Sequence, residues 1–175
     1  MKYKKLWTDM HSNIHHDQME ALPLWYEQIK KEMDFWPIAY YPFYMRPTSS
    51  GLAVEDRYED ELIEKDWEQV RQLALQAEKE GFPMFMGYEW QGAGLDGDHN
   101  VFFLENGEKQ EHPMRYQELV EAYKGKPVIG IPHHVAYQLG SRGKNWETHD
   151  EKFSPFAEIY SSHGCSENDD GPLMM

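Results

Sequence analysis

Three stretches of the chain repeat apolar residues at helical spacing, and short apolar blocks of strand length lie between them. Leu22, Trp25, Ile29 and Met33 recur on one face with Glu27, Lys30 and Lys31 opposite, which predicts a helix whose first turn accommodates Pro23. Ile63, Trp67, Val70, Ala74 and Ala77 form one stripe over residues 61–80, and Gly81 followed by Pro83 stops it. Tyr116, Leu119, Val120 and Tyr123 mark a third helix, ending at Gly125. Apolar blocks at 5–10, 35–41, 83–90, 101–104, 127–131 and 156–161 read as strands, with Pro37 the weak point of the second. The segments 42–60, 91–98, 106–110 and 136–152 are polar, with Gly and Pro among them, and read as loops or turns.

The order β-α-β-α-β-(β)-α-β-loop-β predicts an α/β architecture with a mostly parallel sheet. No helical pattern follows the last block, and nothing in the pattern closes a barrel. Residues 1–175 therefore read as a single domain that holds part of a larger barrel and lacks its last strands.

Composition narrows the partners. A chain of 175 residues can bury a sizeable core as one domain. With 31 acidic against 17 basic residues the net charge is -14, which argues against a nucleic-acid backbone or an anionic membrane surface as partner. The acidic residues concentrate at 55–66 and 167–170, where they read as solvated surface. The single cysteine, Cys165, excludes an intrachain disulfide and reads as a partly buried bystander. No run approaches the ~20 apolar residues of a membrane span. The basic N-terminus is not followed by the apolar region of a signal peptide, so a cytoplasmic location is expected. No nucleophile elbow, Walker loop or dinucleotide fingerprint is present.

The candidate chemistry lies where strand-like blocks end. The nine histidines gather in Asp9-Met10-His11-Ser12-Asn13-Ile14-His15-His16-Asp17, Asp98-His99-Asn100, Ile131-Pro132-His133-His134 and Ser161-Ser162-His163, with His112 and His149 in polar loops as plain surface residues. Imidazoles and carboxylates at the ends of successive strands are what a divalent-metal site in an α/β barrel requires, because strand ends on one face converge. Glu89 ends an apolar block, where a buried carboxylate needs a pairing group or a metal. Adjacent side chains on a strand diverge, so one of His133 and His134 faces the site and the other contacts it from behind or meets substrate. Glu158 is placed to act as a base or to accept a hydrogen bond, and His163 sits where an active-site loop begins. Trp90, Tyr88, Trp146 and Tyr137 lie near these residues, and most of the aromatics are explained by packing.

The ordered set Asp9-Met10-His11, Gly87-Tyr88-Glu89-Trp90, Asp98-His99-Asn100-Val101, Ile131-Pro132-His133-His134 and Glu158-Ile159-Tyr160-Ser161-Ser162-His163-Gly164 resembles the polymerase-and-histidinol-phosphatase (PHP) superfamily of metal-dependent hydrolases, over about residues 7–164. The resemblance implies a partial or distorted (β/α)7 barrel with a two- or three-metal site of manganese, zinc or iron at the C-terminal strand ends. It implies His11 and His99 as ligands, Glu89 as a carboxylate bridging two metals, and His133 or His134 as a later ligand. Asn13 stands where the family's first motif carries a second histidine, and His15 or His16 could compensate from a different spacing. Ala39-Tyr40-Tyr41-Pro42 replaces the usual Asp-His of the second strand, and the family's last motif would lie beyond Met175.

The expectation is thus a phosphoesterase-like hydrolase acting on a small molecule, phosphorylated or sugar-containing. The candidate metal ligands are His11, His16, Glu89, His99, His133 and His134, and the catalytic candidates are Glu89, Glu158 and His163. A homo-oligomer is compatible with this reading. The rival readings are a degenerate barrel that binds a carbohydrate without catalysis, and a half-barrel completed by another chain.

Overall fold

The protein is described by a computed structural model over residues 3–92, 94–105, 108–135, 137–140, 142–161 and 163–167. Parts of the expected turn at 106–110, the start of the 136–152 loop, Ser162 and most of the 167–170 acidic run lie outside the described residues. Alpha-carbon contacts divide the chain into Met1–Tyr88 and Glu89–Met175, with the boundary inside one strand. Each unit is described in turn.

The first unit contains β1 (Ser12–His15), a 3-10 turn (His16–Ala21), α1 (Leu22–Glu32), β2 (Trp36–Tyr41), β3 (Phe43–Pro47), β4 (Ala53–Arg57), α2 (Asp60–Glu80) and most of β5 (Met84–Gln91). β1 pairs with β2 and β2 with β5, both in parallel, with Ile14 opposite Tyr40 and Tyr40 opposite Tyr88. Five successive residues of β2 are buried, as a parallel strand covered on both faces requires. The expected α2 stripe is buried in full, and Gly81 ends the helix in the left-handed conformation with φ 74°.

Two details differ from expectation. Residues 5–10 form no strand. Instead Trp7 N–H donates to the Asp34 carboxylate at 2.9 Å and Asp34 N–H donates to the Trp7 carbonyl at 2.9 Å, so the segment is tied to the α1–β2 connection. The strand begins only after His11. The expected loop 42–60 contains an antiparallel ribbon, β3 with β4, turned at Gly51 with φ 82° and braced by Arg46 against Asp56.

The second unit contains the end of β5, then β6 (Asp98–Phe103), α3 (Tyr116–Ala122), β7 (Val128–Pro132), a 3-10 turn (Trp146–Thr148), β8 (Tyr160–Ser161) and β9 (Gly164–Cys165). β6 pairs with β7 and β8 with β9, both antiparallel. The core is aromatic: Tyr123 stacks on Phe153 with centroids 6.3 Å apart and planes 6° from parallel, and Tyr116 meets Phe153 at 5.9 Å. Gly130 admits the Phe153 ring over β7, since a Cβ there would come within 2.4 Å of Cε1. Of the expected strand at 156–161 only Tyr160–Ser161 forms.

The expected partial or distorted (β/α)7 barrel with mostly parallel strands is overturned. The main sheet is open, in the order β1-β2-β5-β6-β7, and no barrel closes among the described residues. Parallel pairing is shown only for β1-β2-β5, whereas β3-β4, β6-β7 and β8-β9 are antiparallel. The physical reason is connection length: only residues 92–97 join β5 to β6, and a parallel crossover needs roughly a dozen or more residues. Three α-helices are present among the described residues, too few to sheathe a barrel. No helix among them is long and apolar enough to cross a membrane.

Candidate metal centre

Glu89 is carried by β5, a strand buried along nearly its whole length, and is itself 3% exposed. Tyr88 and Trp90, its neighbours in sequence, point to the opposite face by the period of two and pack in aromatic clusters. His133 follows β7 and is fully buried, with its N–H donating to the Asp98 carbonyl at 3.1 Å. Its Nε2 stands 3.6 Å from Glu89 Oε1, close enough for charge attraction but beyond a good hydrogen bond. His11 precedes β1, and its N–H donates to Asp9 Oδ1 at 2.8 Å in an Asx turn that fixes the backbone.

His11, Glu89 and His133 each offer one ligand atom, and these atoms lie within 4.8 Å of one another. Two imidazoles and a carboxylate form a donor set that suits zinc, manganese or iron, and three protein ligands leave positions open for water or substrate. Such a group can hold a metal ion.

The other expected ligands, His16, His99 and His134, are not part of that group of three. His99 is fully buried in β6 and stacks on Tyr116 with centroids 4.8 Å apart. Burial, and then the nearby Lys144, push its pKa well below the ordinary value, so it is neutral at pH 7. His16 directs Nδ1 at Asp66 Oδ2, 2.8 Å away. His134 adopts a left-handed backbone with φ 55°, which turns its ring edge-on to His133 at 4.5 Å and beside His163 at 4.2 Å. His163 is exposed, with Nδ1 3.1 Å from the Tyr137 hydroxyl. Glu158 and His163 line a shallow cleft with His134, Tyr160 and Ser161.

Three further polar residues are buried. Asp66 interrupts the apolar face of α2 between Ile63 and Val70, a signal that spacing alone provides. Asp96 is 1% exposed, and burial would raise its pKa. Arg115 at 2.8 Å and the Tyr116 N–H at 3.0 Å outweigh that and hold it below the ordinary value. Lys144, in a loop with no pattern to mark it, is 4% exposed and holds Nζ 3.3 Å from the Tyr116 ring centroid. Burial pushes the Lys144 amine down to about 8, although Asp96 pulls it up.

A depressed lysine destabilises the fold wherever it must stay charged. Below about pH 8 both states hold the proton, and between about 8 and the ordinary 10.5 the folded chain releases it first, so stability rises with pH across that window. That interval corresponds to about 3 kcal/mol, from which the cation–π contact with Tyr116 subtracts. Lys144→Met is expected to raise stability at pH 7 by about 1–3 kcal/mol. The gain should vanish above pH 10.5, as read from urea melts at both pH values.

No protein-family model, curated protein or solved structure matches this chain.

Proposed function

We propose that the chain is a divalent-metal-dependent hydrolase and that its substrates are small phosphoesters. The carrying observation is the convergence of His11, Glu89 and His133 on one point. Burial of Glu89 and His133 supports the same reading, because a carboxylate and an imidazole removed from water are stabilised by a cation between them. When bound, the ion supplies a water of lowered pKa and polarises the scissile bond. The protein's own part is to hold three donors in place and to leave coordination positions open. The resemblance of the ordered motifs to PHP hydrolases supports phosphoester chemistry over other hydrolyses, and the acidic surface does not oppose it, since a bound cation reverses the local field.

The test is metal content per chain by elemental mass spectrometry, on protein purified without chelator or a histidine tag, together with p-nitrophenyl phosphate turnover. We expect one or more equivalents of manganese, zinc or iron. Turnover should be lost in chelator and restored by the metal. Protein that neither retains nor responds to any of the three would overturn the proposal.

A further inference from the structure

We propose that His16 is an acid/base residue, positioned by the buried pair Asp66 and Tyr40. This rests on the hydrolase reading for its substrate but not for its geometry. Asp66 sits on the core-facing stripe of α2 and is 1% exposed, a position where a charge is costly to bury unless it is paired. Its Oδ2 is met from two elements at once, by His16 Nδ1 at 2.8 Å and by the Tyr40 hydroxyl at 2.9 Å. Burial, and then Asp66, push the Tyr40 hydroxyl far above its ordinary pKa, so it stays a donor.

A carboxylate that accepts from both makes His16 Nδ1 the N–H nitrogen and leaves the lone pair on Nε2. The His16 side chain is 36% exposed. Tyr58 packs edge-on against its ring at 5.2 Å, with Tyr44 stacked behind Tyr58 at 4.7 Å. A buried acid orienting an imidazole with one nitrogen turned outward is the arrangement that proton transfer uses.

The position agrees. His16 directly follows His15, the last residue of β1, and His15 lies opposite Tyr41 at the end of β2. The row before it is Ile14, Tyr40 and Tyr88, and Glu89 is the residue after Tyr88. His16 therefore stands at the carboxyl edge of the parallel strands, the edge where ligands of such sheets bind. In the reaction Nε2 takes a proton from water as its oxygen bonds to phosphorus. The P–O bond to the leaving group breaks, and the same proton passes from Nε2 to the leaving oxygen. Asp66 stabilises the imidazolium in between.

Three measurements on the full chain test this. His16→Gln should lower kcat for p-nitrophenyl phosphate by about 100-fold or more, with KM and metal content unchanged. Imidazole added to His16→Gly should restore part of the loss. Asp66→Asn, checked for folding by circular dichroism, should also lower kcat, because the amide can donate to Nδ1 and reverse the tautomer. A His16→Gln kcat within threefold of the parent would overturn the proposal. So would a loss of metal in step with activity, which makes His16 a ligand. If the parent shows neither metal nor turnover, the hydrolase reading fails. Diethylpyrocarbonate labelling, read by peptide mass spectrometry, then decides the dyad: His16 should react several times faster in the parent than in Asp66→Asn, because the carboxylate leaves Nε2 as the free nucleophilic nitrogen. Equal rates would overturn it.

Discussion

Replacing Glu89 by Gln is expected to remove the metal and, with it, turnover. Gln keeps the shape and the strand, so the change isolates the charge. Partners behind metal ligands cost about 10–100-fold in affinity when lost, and a direct carboxylate ligand should cost at least the upper figure. The readouts are metal per chain, the dissociation constant by titration, and thermal stability. Metal at about 100 times its dissociation constant stabilises a folded chain by about 2.7 kcal/mol, so the parent should melt later with added manganese and Glu89→Gln should not. A variant that retains as much metal as the parent would remove Glu89 from the centre.

The second large effect concerns stability alone. Tyr116 is fully buried at the start of α3 and touches most of the second unit's core: His99 at 4.8 Å, Phe153 at 5.9 Å and Trp90 at 6.5 Å. Its hydroxyl lies 2.9 Å from Ser154 Oγ, and Lys144 sits on its face. Tyr116→Ala is expected to cost about 3–5 kcal/mol, the range for a large buried ring. At roughly 2–4 °C per kcal/mol for a chain of this size, the melting temperature should fall by about 10 °C. Tyr116→Phe keeps the ring, loses the hydroxyl's bond to Ser154 and its longer contacts with the Asp150 backbone at 3.4 and 3.5 Å, and should cost about 1 kcal/mol. Equal losses in the two variants would mean that the hydroxyl, not the ring, holds this region. Urea melts of both measure the difference.

Local pattern was the readable part of this fold. The α2 stripe, its glycine stop and the buried β5 block follow from spacing, because a long amphipathic helix and a fully buried strand both fix their residues by burial. The direction of the strands did not follow. An apolar block reads the same whichever way its neighbour runs, and the short connection at 92–97 was counted as a loop without the constraint it places on β6. The β3–β4 ribbon was missed because its exposed faces lack clear alternation.

At the site, His11, Glu89 and His133 were legible as chemistry-bearing residues at block ends. The choice between His133 and His134 was open in the sequence, since it turns on a backbone angle at His134. His99 is stacked in an aromatic core, and only the partners of a histidine distinguish that from ligation. Asp66 was legible in principle as a charge on an apolar stripe. Lys144 was not, because loop residues are placed by contacts distant in sequence.

The left-handed backbone at His134 has a consequence for anyone improving heat tolerance. With φ 55°, the position carries a strain of about 1–3 kcal/mol that glycine would relieve. A library screened for survival at high temperature should therefore accumulate glycine at 134. The same clones would lose the imidazole that lies against both His133 and His163, so the gain under selection is the relieved strain less those two ring contacts.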